Sequence, residues 1–196
     1  MIKSKEDLRE YLKADQVALG KEGQRSPRFK HDIVWTYQIL LRKCEYYENC
    51  RKDLVGKIWV KWLKSRLITL SHKLGFSIGL NIFDKGLSIA HYGPIVVSAQ
   101  SRIGKNCRIH EGVTIGVTGD AYWKDIPRQA ATIGDNVFIG SGAKIIGPVS
   151  IADNVAIGAN AVVVKDITEP NTTWGGIPAK KISSNGSSLY IKHEQN

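Results

Sequence analysis

Residues 133–162 read IGDNVF IGSGAK IIGPVS IADNVA IGANAV, five successive blocks of six residues that each begin with isoleucine. The same aliphatic position recurs upstream, so the repeat extends over most of the second half of the chain. A period of six fits neither the roughly 3.6-residue repeat of a helix nor the two-residue alternation of a strand. The repeated aliphatic positions are Val97, Ile103, Ile109, Ile115, Ile133, Ile139, Ile145, Ile151, Ile157 and Val163.

This hexad repeat predicts a solenoid whose coils each contain three short strands and about 18 residues. Each aliphatic side chain would point inward and stack on its equivalent in the next coil. Small residues surround the aliphatic positions, and Gly or Asn suits a tight corner because it tolerates a positive φ. We therefore expect a parallel β-helix as the fold of this part of the chain.

The chain divides near residue 75. Residues 1–75 have apolar side chains at helical spacing, and we expect three helices there: one capped by Ser4, one over 31–50 and one over 52–75. We expect the β-helix over 76–182. Residues 117–131 lack the aliphatic repeat and predict a protruding loop, a common carrier of function. Residues 183–196 form a polar tail that we expect to be loose.

Composition narrows the class of protein. Hydrophobic residues make up 42% of the 196 residues, enough for a sizeable core, and the net charge of +10 favours an anionic partner. We find no nucleic-acid-reading motif, no apolar run long enough to cross a membrane and no leader-like N-terminus. The three cysteines lack metal-site or disulfide spacing. We expect a cytoplasmic protein with free thiols.

Three segments carry a family resemblance: GLSIAHYGPIVVSAQSRIGKNCRIHEGVTIG (86–116), IGDNVFIGSGAKIIGPVSIADNVAIGANAVVVKDI (133–167) and GGIPAKKI (175–182). Residues 75–182 resemble the hexapeptide-repeat acyltransferases, and within them the serine acetyltransferases and their close relatives. The resemblance implies a left-handed parallel β-helix with a small α-helical N-terminal region. It also implies an enzyme that uses acetyl-CoA as co-substrate and needs no metal.

His91 matches the catalytic base of that family. An alcohol is a poor nucleophile towards a thioester, and a neutral imidazole can take its proton as attack proceeds. The alternative is a packed structural histidine, because His91 lies among small and apolar residues. Upstream of Val97 the repeat shifts by two residues, and this shift favours a side chain directed out of the core.

The resemblance also implies a coenzyme A groove between the coils of neighbouring subunits, and therefore a homotrimer with inter-subunit active sites. Lysines on flexible stems could meet the phosphates, although each is equally compatible with a solvated surface. The cofactor candidates are Gly116, Thr118, Ser141, Gly142, Ala159, Asn160, Lys165 and Lys180, with Lys144 and Lys181 as further phosphate candidates.

Three further residues are candidates for binding the acceptor. Tyr92 follows the base directly, and Arg128 lies near the end of the protruding loop. His110 follows His91 by about one coil, so the two could be neighbours. The alternative for His110, which we favour from sequence, is a side chain directed to solvent.

The acceptor site departs from the serine acetyltransferase pattern. Those enzymes place an Asp before the base and an Arg-His pair at the loop end, where this chain has Ala90 and Gln129–Ala130. An upstream Asp has no clear match, and Asp84 is the nearest acid. A site without these charges should not hold a zwitterion. We therefore expect acetyl transfer to a hydroxyl of a sugar or polysaccharide precursor, with serine O-acetylation as the alternative.

The C-terminal residues and the helix over 52–75 bear on the possible partners of the chain. The chain ends in KHEQN rather than in the Ile-terminated tail of the serine enzymes, so we expect no docking to cysteine synthase. The helix over 52–75 combines Trp59, Trp62, Leu63 and Leu67 with several lysines, and could make weak contact with a membrane surface. The alternative, which we favour from sequence, is that its apolar face packs inside the protein.

Overall fold

The structure, a computed structural model, describes residues 1–28, 30–119 and 130–192. Three helices come first: α1 (Lys5–Ala18), α2 (Ile33–Cys50) and α3 (Leu54–Leu74). The cap predicted at Ser4 is confirmed, since its hydroxyl accepts a hydrogen bond from the amide of Asp7 at 3.0 Å. Asp53 caps α3 in the same way, and Gly75 ends it with a φ of 78°.

Short strands follow the helices and wind around a common axis. Up to β13, successive strands along the chain fall in different sheets, and the neighbours within a sheet come from successive coils. In the described part of the chain the strands are β1 (Phe76–Ile78), β2 (Ser88–Ile89), β3 (Ile95–Val97), β4 (Arg102–Ile103), β5 (Arg108–Ile109), β6 (Thr114–Gly116), β7 (Thr132–Ile133), β8 (Phe138–Ile139), β9 (Lys144–Ile146), β10 (Ser150–Ile151), β11 (Ala156–Ile157), β12 (Val162–Val163), β13 (Thr173–Gly175) and β14 (Lys180–Ser183).

The sheets have the orders β1-β3-β6-β9-β12, β4-β7-β10 and β2-β5-β8-β11-β13-β14. Neighbouring strands are parallel, apart from the antiparallel pair of β13 and β14. The fold is therefore a left-handed parallel β-helix, as predicted. The ten hexad aliphatic residues have relative exposures of 5% or less, so the repeat forms the core. Among the described residues, no helix is both long and apolar enough to cross a membrane.

The strand register explains the two irregularities in the repeat. Val97 pairs with Ile115 and closes a coil of regular length, whereas Ile115 pairs with Ile145 and closes a much longer coil. The additional residues of that coil lie between β6 and β7. They belong to the predicted loop 117–131, most of which lies outside the described residues. Ile89 pairs with Ile109, two positions beyond the partner that a regular coil would give it, so the two-residue shift predicted upstream of Val97 is confirmed.

A buried polar network joins the helices to the first coil. Arg42, which has 0% exposure, donates to Asp15 at 2.8 Å, to Glu45 at 3.1 Å and to the carbonyl of Phe83 at 2.8 Å. The Gln38 side chain donates to the carbonyl of Leu87 at 2.7 Å and accepts from the amide of Ile89 at 3.0 Å. These contacts hold β2, the strand that precedes His91.

The C-terminal tail is not loose, contrary to the sequence expectation, at least as far as residue 192. Ile191 has a relative exposure of 8%, and the Tyr190 ring stacks on Phe138 with centroids 4.4 Å apart. The amide of Ser187 donates to the carbonyl of Asn154 at 3.0 Å. The polar tail is therefore held against the β-helix by a few apolar and backbone contacts, which its composition does not indicate.

Candidate active site

His91 lies in the corner between β2 and β3, where the coil is two residues longer than a regular one. Its side chain is exposed, so it is not the packed core residue of the alternative hypothesis. The corner contains Gly93 with a φ of 138°, a value that favours glycine. A Cβ on Gly93 would lie 2.9 Å from the Cβ of Glu111, so glycine lets the corner pack closely on Glu111.

His110 lies beside His91, one coil further along. The two imidazole rings meet edge to face with centroids 5.6 Å apart. The His110 side chain is only 19% exposed, so it is not directed to solvent. Its Nδ1 is 3.5 Å from the Ser141 hydroxyl, and its ring packs against Phe138 with centroids 5.2 Å apart.

The environment of His110 favours the neutral imidazole. Burial lowers its pKa below the ordinary histidine value, and the positive charge of Arg108 lowers it further. The carboxylate of Glu111 opposes these effects. His110 Nε2 is buried and has no hydrogen-bond partner among the described residues.

Glu111 completes the cluster, and our sequence analysis missed it. Its Oε2 lies 4.0 Å from His110 Nδ1 and is buried without a hydrogen-bond partner among the described residues. The Ser141 hydroxyl lowers the pKa of Glu111, so the carboxylate is ionised near neutral pH. The available signal was an acidic residue directly after His110, at a corner one coil from His91.

Unpartnered buried polar atoms on two consecutive residues are unusual in a folded protein and indicate a place where a ligand binds. The ligand atoms of His91, His110 and Glu111 lie within 4.8 Å of one another. Imidazole and carboxylate groups at this separation could also serve as ligands of a divalent metal ion. The cluster lies at one corner of the β-helix, and its atoms can accept or donate hydrogen bonds to a small polar molecule.

Arg108 lies in β5, two residues before His110. Its guanidinium donates to the Ser88 hydroxyl at 3.1 Å, and burial lowers its pKa. An arginine remains protonated despite such a shift. The cluster therefore has a positive charge that acts on His110.

Apart from Lys180, which lies in β14, the predicted cofactor residues flank the sheet that contains β6, β9 and β12. Ser141–Gly142 and Ala159–Asn160 occupy successive coils at the corner that also holds Glu111. Gly142 and Asn160 both have positive φ, at 75° and 55°. A Cβ on Gly142 would lie 2.1 Å from Asn160 Oδ1, so this corner needs glycine.

The opposite corner of the same sheet holds Gly116 and Thr118, with Lys165 two coils on after β12. Lys165 and Lys180 are exposed. Lys144 instead donates to the carbonyl of Gly112, and Lys181 pairs with Glu169.

Two of the three predicted acceptor residues are not joined to the cluster by any described contact. Tyr92 is 72% exposed. Arg128 lies outside the described residues. Only His110 is brought into contact with His91.

Comparison with known proteins indicates which protein family the chain resembles. Residues 130–165 match the family model described as bacterial transferase hexapeptide (six repeats). This match confirms the predicted resemblance to the hexapeptide-repeat acyltransferases.

The curated relatives that the chain matches are serine acetyltransferases, as the predicted resemblance implied. It is 37% identical over 108 residues to serine acetyltransferase of Mycobacterium tuberculosis, covering 55% of this chain and 43% of the relative. It is 32% identical over 159 residues to that of Bacillus subtilis, covering 80% of this chain and 65% of the relative. The chain thus spans 43% and 65% of the length of these two relatives.

Solved structures agree with the sequence relatives. Soybean serine acetyltransferase complexed with serine matches with a TM-score of 0.69 at 27% identity, covering 90% of this chain and 70% of that chain. The Brucella abortus enzyme in complex with coenzyme A matches with a TM-score of 0.65 at 26% identity, covering 93% and 70%.

These findings overturn the sequence-based prediction of a sugar or polysaccharide acceptor, which was wrong. The relatives are serine acetyltransferases, the enzymes of our alternative. The error lay in treating Ala90 and Gln129–Ala130 as proof that a zwitterion has no counter-charges. The described site has charges at other positions, Glu111 and Arg108, one coil from the base.

Proposed function

We propose that the chain is an acetyl-CoA-dependent O-acetyltransferase whose acceptor is serine. The observation that carries this proposal is the cluster at one corner of the β-helix. An exposed imidazole, His91, lies beside two buried and unpartnered polar atoms, His110 Nε2 and Glu111 Oε2. Similar serine acetyltransferases have been solved with serine or with coenzyme A, which supports serine as the acceptor and acetyl-CoA as the donor.

His91 is the general base in this proposal. Its neutral imidazole accepts the proton of the serine hydroxyl while the serine Oγ attacks the thioester carbonyl carbon. The tetrahedral intermediate carries a negative oxygen that needs hydrogen-bond donors, and backbone amides at the coil corners are suitable. When the carbon–sulfur bond breaks, the imidazolium returns the proton to the coenzyme A thiolate.

The charges of the acceptor match those beside the base. The ionised Glu111 carboxylate would pair with the serine ammonium, and the Arg108 guanidinium would pair with the serine carboxylate. A neutral His110 between them adds a hydrogen bond without repelling the ammonium. The low pKa of His110 supports this role.

The acetyl-CoA groove follows the sheet between the two corners described above. Small residues at Gly116, Ser141, Gly142 and Ala159 would leave room for the pantetheine arm. Thr118 and Asn160 would donate or accept hydrogen bonds, and the exposed Lys165 and Lys180 would meet the phosphates. These steps need no metal.

The partners follow from the site. Because the corner cluster and the groove are open to solvent in one chain, a second chain could complete them, and we propose a homotrimer with sites between subunits. Free thiols at Cys44, Cys50 and Cys107 and the use of acetyl-CoA favour the cytoplasm. The predictions of no nucleic-acid partner and no docking to cysteine synthase remain predictions.

The test is an acetyl-transfer assay with a panel of acceptors. The purified protein is incubated with acetyl-CoA and either serine, threonine, glycine or no acceptor, and released thiol and acetylated product are measured. Serine-dependent thiol release together with O-acetylserine is the expected result. Release that is the same with and without serine would refute the proposed acceptor.

A further inference from the structure

Helix α3 carries positive charge without any negative charge. Its 21 residues, LVGKIWVKWLKSRLITLSHKL, include five Lys or Arg residues and neither Asp nor Glu. One face packs inside the protein through Leu63, Leu67 and Leu74. The packing predicted for the apolar face is therefore only partly correct, because the first turns of α3 have further large apolar side chains.

These side chains form an exposed surface that we call the α3 patch. Each apolar member exposes nearly half of its surface or more, which is high for residues of this size. On a helical wheel the apolar members occupy one side of α3, which borders the buried face at Trp59 and has the two lysines at its other edge. The α3 patch consists of Leu54 (75%), Val55 (56%), Ile58 (62%), Trp59 (46%) and Trp62 (47%) with Lys57 and Lys61.

The two indoles at the centre of the patch are held in a fixed arrangement. Trp59 and Trp62 meet edge to face with centroids 5.3 Å apart, and the Arg66 guanidinium lies 4.8 Å from the Trp62 ring centroid. They also line a groove of about 560 Å³ that continues the patch towards α1 and α2.

This groove adds to the positive charge. Its walls include Lys5, Lys43 and Arg51 together with the rings of Tyr46 and Tyr47. Arg51 is paired with Asp53, whereas Lys5 and Lys43 make no ion pair with another described residue. Apolar rings at the base and ammonium groups at the rim suit a ligand with an apolar body and an anionic head.

The charge of the patch decides between its possible occupants. A second copy docking by the same face would bring Lys57, Lys61 and Arg66 against their own equivalents, and like charges at close range oppose such a contact. Tryptophan, aliphatic side chains and lysine together are typical of helices that lie in a membrane interface. There the indoles and aliphatic chains enter the headgroup region while the lysines meet anionic lipid.

We propose that the α3 patch docks the protein on an anionic lipid surface. The net charge of +10 supports the approach to such a surface. The patch is separate from the His91 cluster, so this inference does not depend on the proposed acetyl transfer.

The experiment is co-sedimentation of the full chain with vesicles. Sucrose-loaded vesicles of phosphatidylcholine alone are compared with vesicles that also contain phosphatidylglycerol, at low and high salt. The wild type should pellet only with the anionic vesicles, and less at high salt. Trp59→Ser with Trp62→Ser, and Lys57→Glu with Lys61→Glu, should each weaken binding by about tenfold or more.

Two matched controls distinguish binding by the α3 patch from non-specific hydrophobic and electrostatic binding elsewhere on the protein. Leu189→Ser removes another exposed aliphatic residue, with 87% exposure, and Arg25→Glu with Lys30→Glu makes the same charge change in the loop between α1 and α2. Both controls should bind like the wild type. Equal losses in the controls, or no binding of the wild type to anionic vesicles, would overturn the proposal.

Folding and self-association are measured on the same samples. Far-ultraviolet circular dichroism establishes that each variant is folded. If the tryptophan variant does not fold, a second measurement replaces its binding assay. Brominated phosphatidylglycerol should then quench the tryptophan fluorescence of the wild type, with the Trp59→Phe and Trp62→Phe variants as the reference. Sedimentation velocity without lipid should give the same species for wild type and lysine variant. A smaller species for the variant would show instead that the patch joins copies of the chain, and would overturn the proposal.

Discussion

His91 and His110 meet edge to face across two successive coils, with ring centroids 5.6 Å apart. One ring is exposed and the other is mostly buried, so the same type of side chain has two environments at a single corner. Their separation in sequence follows from a coil that is slightly longer than the regular one.

The pKa of His110 should respond to its two charged neighbours in opposite directions. Burial and the positive charge of Arg108 lower this pKa, and Glu111 raises it. Arg108→Gln should therefore move the pKa up, and Glu111→Gln should move it further down. Titration of the imidazole resonances by NMR measures both shifts, and movement of both variants in the same direction would contradict the assignment.

The same shift has a consequence for stability. Because the pKa of His110 is lower in the folded chain, the unfolded chain binds this proton at a higher pH. The free energy of unfolding should fall as the pH drops below the ordinary histidine value of about 6.5. Urea titrations across this range should show a weaker pH dependence for His110→Gln than for the wild type.

Removal of the base should abolish most of the catalysis. His91→Ala is expected to lower kcat by about 10²–10⁴-fold with little change in the KM for acetyl-CoA, because the imidazole acts on the proton during attack. His31→Ala changes another exposed histidine, outside the repeats, and serves as the matched control. Wild-type turnover in His91→Ala would exclude His91 as the base.

Glu111 should set the affinity for the acceptor. Glu111→Gln keeps the size of the side chain but removes its charge, so the KM for serine should rise by about tenfold or more while kcat changes less. Glu111→Asp should restore part of the affinity. An unchanged KM with a reduced kcat would indicate that Glu111 acts on the imidazoles rather than on the serine ammonium.

The buried arginine should be a main determinant of stability. Arg42→Met leaves Asp15 and Glu45 buried without their partner and should lower the free energy of unfolding by about 3–5 kcal/mol. Arg51→Met breaks a half-exposed pair with Asp53 and should cost less than about 1 kcal/mol. Urea denaturation measures both, and similar losses in the two variants would argue against the network.

Much of the fold could be predicted because the hexad is a local pattern with one structural solution. Every coil repeats it, and even the two-residue shift beside His91 is visible in the spacing of Ile89 and Val97. The helix cap at Ser4 is equally local. The contacts of Gln38 with β2 were not predictable, because they join segments that are far apart in the sequence without a repeated signal.

The candidate site was predicted only in part for the same reason. His91 matched a motif, and the coil length placed His110 near it. Glu111 matched no motif, and its importance comes from burial and from the absence of a described partner for Oε2. The acceptor was wrongly predicted because the sequence shows which charges are missing from expected positions, but not which neighbours replace them.

The strand edges at the two ends of the β-helix are arranged so that they do not pair with the edges of other chains. A parallel coil exposes unpaired amides and carbonyls at each end, and such edges invite end-to-end stacking of chains into fibres. At one end the side chain of Gln38 occupies the hydrogen bonds of Leu87 and Ile89. At the other, β14 runs antiparallel to β13 and breaks the register that another coil would need. Both ends thus protect the protein against aggregation.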